Sequence, residues 1–165
     1  MTDEHITSLR AAAHPLRLRM LSLLTGTAMS AAEVARELDT THANASYHLR
    51  VLLDAGLIVV EGEERIRGGV AKRYRYLVGE GPAQSEADLA AEVEVIAQEL
   101  VRRHREGAQA PRVIADAELW LAPETWQQVV DLLKQASRLM HEGALPPRTD
   151  GAVKANLSLA AFRMS

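Results

Sequence analysis

The sequence predicts an α+β chain in two unequal parts. Residues 1–79 read as a helical domain closed by a β-hairpin, 80–84 as a linker, and 85–165 as a second region ordered helix, strand, helix, strand. Three observations predict this. Apolar residues recur at spacings of three and four from Leu16 to Leu53; the pattern then changes to short β-branched and aromatic runs; and GEGPAQ (79–84) has the Gly/Pro punctuation of a linker before helical spacing restarts.

Residues 3–12 are compatible with a short helix, with Ile6 and Leu9 turned inward. His14-Pro15 ends it, and Pro15 suits the first turn of the next helix, where its missing N–H has no partner to lose. Leu16, Met20, Leu23 and Leu24 form the stripe of that helix, which stops at Thr25-Gly26. Ser30 and Glu33 have the spacing of a capping box, so a third helix begins there with Val34, Ala35 and Leu38 inward. Asp39-Thr40 interrupt it, and Thr41 offers a hydroxyl cap to a fourth helix. In that helix Ala45, Leu49, Leu52 and Leu53 share the core side, while His42, Ala43, Ser46, Tyr47 and Arg50 fall opposite. A small, polar, aromatic and cationic face at a helix N-terminus fits a major groove.

Gly56 has the place of a left-handed C-cap, after which Leu57-Ile58-Val59-Val60 reads as a strand. Gly62 and Gly68-Gly69 bracket a turn, and KRYRYLV (72–78) returns with Tyr74 and Tyr76 on one face and Arg73 and Arg75 on the other. Arg65, Arg67, Lys72, Arg73 and Arg75 form a run with no acid between them. Helices, a helix-turn-helix and then a hairpin is the order of a winged helix, whose wing tracks phosphates or the minor groove.

Taken together, Ala13-His14-Pro15-Leu16-Arg17, Ser46-Tyr47-His48-Leu49, Ala55-Gly56-Leu57-Ile58 and the Gly68-Gly69 to KRYRY hairpin resemble the arsenical-resistance-repressor (ArsR) type of winged-helix regulator over about residues 5–78. The resemblance implies a homodimer on palindromic double-stranded DNA, with His42, Ala43, Ser46 and Tyr47 at the DNA-facing positions. Asp39 and Thr40 depart from the glycine and apolar residue more usual there. The family's metal sites are not matched. LDTT (38–41) supplies no thiolate, and Asp88, His104 and His141 do not have the spacing of the C-terminal carboxylate and imidazole site.

In the second region, Ser85 can cap a helix with Glu86 and Asp88 in its first turn and Arg102, Arg103, His104 and Arg105 in its last, complementing the macrodipole. Leu89, Val93, Ile96 and Leu100 alternate spacings of four and three, the seam of a dimer helix. Residues 112–121 and 153–164 alternate as strands, flanking a helix opened by Pro123 and lined by Trp126, Val129, Val130, Leu133, Ala136 and Met140. Linked by so long a crossover, the two strands would lie parallel if paired in one chain, or they could pair between protomers. Trp120, Trp126, Met140 and Phe162 are a candidate pocket for a small apolar effector.

The totals exclude several classes. The 165 residues contain no Cys, which removes disulfides, thiolate metal sites and cysteine nucleophiles. The six His are scattered, so no metal or cofactor is expected, and no nucleophile is placed beside a base, so the chain does not read as an enzyme. No apolar run is long enough for a membrane span and no export signal is visible, so a cytoplasmic protein is expected. The net charge of −3 divides into +1 over residues 1–78 and −4 over 79–165. The local field of the wing, not the total, decides phosphate attraction. The function expected is a sequence-specific transcriptional regulator, a homodimeric repressor on an inverted-repeat operator read by helix 41–55 and the basic wing 62–75. The alternative is a winged-helix protein-interaction module that binds no DNA.

Overall fold

The structure, a computed structural model, describes residues 12–78, 86–107 and 109–164. Its elements are α1 (Pro15–Gly26), α2 (Ala31–Glu37), α3 (His42–Asp54), β1 (Val59–Ile66), β2 (Gly69–Arg75), α4 (Glu86–Gly107) and α5 (Pro123–Glu142). This is the winged helix-turn-helix order followed by two long helices. Most of the expected helix at 3–12 and the linker at 80–84 with its Ser85 cap lie outside the described residues.

Local chemistry sets the helix ends. The His14 Nδ1 accepts the Leu16 N–H at 3.1 Å ahead of Pro15. Ser30 and Glu33 close the capping box, with the Ser30 N–H donating to Glu33 Oε2 at 2.7 Å and the Glu33 N–H to Ser30 Oγ at 3.4 Å. Thr41 Oγ1 accepts the Asn44 N–H at 3.2 Å and starts α3. Gly56, at φ +69°, turns the chain out of α3 as its place after the last helical residue predicts. Between α2 and α3 the chain passes through Asp39 at φ +50°, the left-handed conformation that glycine adopts most easily and Asp tolerates better than most.

Met20, Leu24, Val34, Leu49, Leu52 and Ile58 are fully buried and join α1, α2, α3 and the start of the hairpin in one core. Tyr74 and Tyr76 pack against it from the return strand. Met29 bridges Tyr74 in both directions at 3.0 and 2.9 Å, and the Tyr76 N–H donates to Leu24 O at 3.1 Å, so the wing is stitched to the helices along its root.

The hairpin is longer at its tip than its sequence pattern predicts. β1 runs on from Val59 through Glu61–Arg65 to Ile66, whose charged residues conceal a strand in the alternation. Antiparallel pairing supplies what the pattern lacks: Glu63 faces Lys72 and Arg65 faces Val70, with a bulge between Val60 and Gly62.

The C-terminal region differs more. α5 forms where expected, with Trp126, Val129, Val130, Leu133 and Met140 half-buried along one side, although Ala136 is exposed. The flanking segments 112–121 and 153–164 are not strands in the chain. No main-chain hydrogen bond joins either of them to anything among the described residues, and every residue from Gln109 to Thr125 is exposed. Alternation makes a segment competent to be a strand; a neighbour is needed to make it one.

The stripe of α4 expected to form a dimer seam is likewise largely uncovered. The helix packs on α1 through a different face, on which Asp88, Val95 and Glu99 are buried, while Leu89, Val93 and Leu100 stay exposed and Ile96 is half-buried. The Glu99 carboxylate is held there by Arg102 at 2.7 Å and Arg103 at 3.5 Å. The chain also returns to the first domain beyond α5. A Cβ on Gly26 would stand 2.6 Å from Leu145 O, and Arg148 pairs with Glu37 at 3.4 Å.

Candidate nucleic-acid interface

The outer side of α3 carries the residues the helical spacing places there. Thr41, His42, Ala43, Tyr47 and Arg50 are exposed and Ser46 is half-buried, while Ala45, His48, Leu49 and Leu52 anchor the opposite side. Tyr47 is 57% exposed, unusually open for an aromatic ring, and is braced by an edge contact to His48 with ring centroids 5.1 Å apart. It therefore projects from the second turn with its ring largely open to solvent.

Behind it lies a small basic cluster the periodicity does not reveal. His48 meets His14 of the α1 cap at 4.8 Å between centroids, and Arg17 lies near both rings and near Tyr47. Burial, then the neighbouring cations, lowers both imidazoles below the usual histidine range: Arg17 acts on His14, and His14 and Arg17 act on His48. The two rings are thus held neutral near pH 7 at the root of α3. Among the described residues the buried His48 Nδ1 has no hydrogen-bond partner, so protonation there would find no acceptor among them. His14 and Arg17 meet α3 through the tertiary fold, more than thirty residues along the chain from His48, so no local spacing links them.

The wing residues divide by their surroundings. Arg65, Arg67 and Lys72 are exposed on the two strands and the tip of the hairpin. Arg73 differs from the sequence expectation. Its guanidinium donates to Glu33 Oε2 at 3.2 Å, to Glu64 Oε2 at 2.8 Å and to the Ala28 carbonyl. It faces the body of the domain and ties the wing to the capping box of α2. Burial works to raise the Glu33 carboxyl, but the two Ser30 hydrogen bonds and the Arg73 and Arg36 charges outweigh it and leave the group below the usual carboxylate range.

The candidate effector residues are not gathered in one chain. Trp126 and Met140 sit on the half-buried side of α5, whereas Trp120 is fully exposed and Phe162 is 66% exposed on the two unpaired segments. Among the described residues no group of three or more His, Asp or Glu is placed to hold a metal ion, and no helix is long and apolar enough to cross a membrane.

Comparison with known proteins places the helices. Residues 12–61 match the model of a family described as a helix-turn-helix domain, from just before α1 to the first residues of β1. The hairpin that completes β1 makes it a winged helix-turn-helix, an architecture of DNA-binding regulation. No curated protein matches the chain.

Proposed function

We propose that this protein is a sequence-specific transcriptional regulator of the ArsR type, a homodimeric repressor that reads an inverted-repeat operator. The observation that carries the reading is the presence, on one domain, of a polar and aromatic helix N-terminus, with His42, Ala43 and Tyr47 exposed and Ser46 half-buried beside them, and of exposed wing cations (Arg65, Arg67, Lys72). The first can meet base edges and the second phosphates, and specific recognition needs both.

In this reading Thr41, His42, Ser46 and Tyr47 contact bases in the major groove, and Arg50 with the three wing cations positions the domain on the backbone. No residue is asked to perform chemistry, so the function is non-enzymatic. The homodimer follows from the uncovered seam of α4, Leu89, Val93 and Leu100, which a second copy can match by two-fold symmetry. A small apolar effector seated against Trp126 and Met140 would act by changing how the two recognition helices are spaced.

The exposed Glu61 and Glu63 on β1 favour the second reading, a protein-interaction wing. A salt-titrated binding assay on upstream DNA separates the two. Phosphate contacts impose a steep fall in affinity between low and physiological salt, with operator bound more tightly than random duplex at every point. Affinity that stays flat with salt, or that never exceeds random duplex, would overturn DNA recognition.

A further inference from the structure

The chain leaves more surface open than a folded monomer of its size. The protein exposes 12431 Å², whereas a folded monomer of 18.1 kDa exposes roughly 8,000 Å². The difference, on the order of 4,000 Å² on one chain, is more than enough to supply that chain's half of an obligate dimer interface, which totals about 2,000–5,000 Å² over both partners. Much of what is open is apolar and belongs to the two unpaired segments: Val113 is 95% exposed, Ile114 84%, Trp120 103% and Val153 86%. Neither segment has a main-chain partner among the described residues, and both alternate as strands do.

The charges of the segments indicate what each would pair with. Residues 112–121 carry Arg112, Asp116 and Glu118, while 153–164 carry Lys154 and Arg163. The first segment carries a net charge of −1 and the second +2, so pairing two copies of the second adds like charge, whereas pairing one segment with the other brings opposite net charges together. The second segment is already moored at one point, where Arg103 donates to Asn156 Oδ1 at 2.7 Å and Ser158 and Leu159 are half-buried. The first is exposed along its whole length, and no main-chain hydrogen bond joins it to another segment among the described residues.

We propose that two copies of this chain exchange these segments, residues 112–121 of one lying beside residues 153–164 of the other in a sheet shared by both protomers. The inference rests on the homodimer reading above and adds the elements that build it. The shared sheet would satisfy main-chain groups that now face solvent and would cover apolar side chains at the same time. It would also bring the Trp120 of one copy toward the Phe162 segment of the other, joining candidate effector residues that a single chain keeps apart.

The test uses the full chain in two measurements. In a dilution series, light scattering gives the mass while amide exchange is followed in the same samples. The expected result is a particle of twice the chain mass, with exchange in 112–121 and in 153–164 slowed on the order of tenfold or more and released together as the dimer dissociates. Because the chain has no Cys, single cysteines give a clean second readout. Ala117→Cys and Ala155→Cys proteins are mixed and oxidised, with Leu157→Cys as the partner one alternate position along, and the mixed disulfide should dominate over either like pair. A monomer at every concentration would overturn the homodimer and the exchange together. A dimer in which 112–121 stays unprotected, or in which like pairs dominate, would overturn the exchange and leave the homodimer standing.

Discussion

Arg73 and Arg67 are six residues apart and both belong to the basic run of the wing, yet the fold gives them different work. Arg73 ties Glu33, Glu64 and the Ala28 carbonyl together, joining β2 to the start of α2, whereas Arg67 stands in solvent at the hairpin tip. Arg73→Ala is therefore expected to lower stability by about 1–2 kcal/mol in urea unfolding, the range for charge-assisted bonds that are partly exposed. Arg67→Ala should leave stability within about 0.5 kcal/mol and weaken operator and random DNA alike. The difference was not legible in the sequence, because Glu33 and Arg73 are 40 residues apart and no local spacing links them. At the same scale, His14 and His48 set a pH dependence. Their folded pKa values lie below the unfolded value of 6.5, so between those values the unfolded chain binds more protons and stability rises with pH. The unfolding midpoint should hold above about pH 7 and fall as pH drops from 6.5 through the folded values. His48→Gln should flatten that fall, and a wild-type midpoint that does not change from pH 7.5 to 5.5 would contradict the assignment. Glu33 adds a second loss at lower pH, since its lowered carboxyl contributes stability above 4.5 that disappears as pH falls through the folded value.

At the scale of elements, the helix-turn-helix was legible almost residue by residue. Its capping groups act within three residues of the bonds they make, so Ser30, Glu33 and Thr41 announce α2 and α3 directly, and three-and-four spacing separates Leu49 and Leu52 from Tyr47 and Arg50. The wing was legible at its root, where Tyr74 and Tyr76 alternate with arginines, and hidden at its tip, where the glutamates of β1 need Lys72 and Ala71 opposite them to form a strand. In residues 112–121 and 153–164 alternation states which faces a strand would have, and pairing depends on a neighbour that no described residue supplies. The assignment of α3 as the reading element gives a prediction at this scale. Tyr47→Ala should erode the preference for operator over random DNA by about 1–3 kcal/mol while the salt dependence is kept, because it removes a base contact and no phosphate contact. An equal loss on every sequence would place Tyr47 on the backbone instead.

At the scale of the whole molecule, residues 12–78 build one core and present a helix and a wing, and α4 and α5 leave apolar surface open. Two-fold pairing would set two recognition helices at a fixed separation, and the DNA must then carry the same symmetry. The most direct measurement is a map of the genomic DNA bound by the protein in its own cells. The account predicts enriched sites that share an inverted repeat, with half-sites about one helical turn apart or a multiple of it, lying upstream of genes. Sites no more frequent than in random fragments, or an enriched motif without two-fold symmetry, would contradict it.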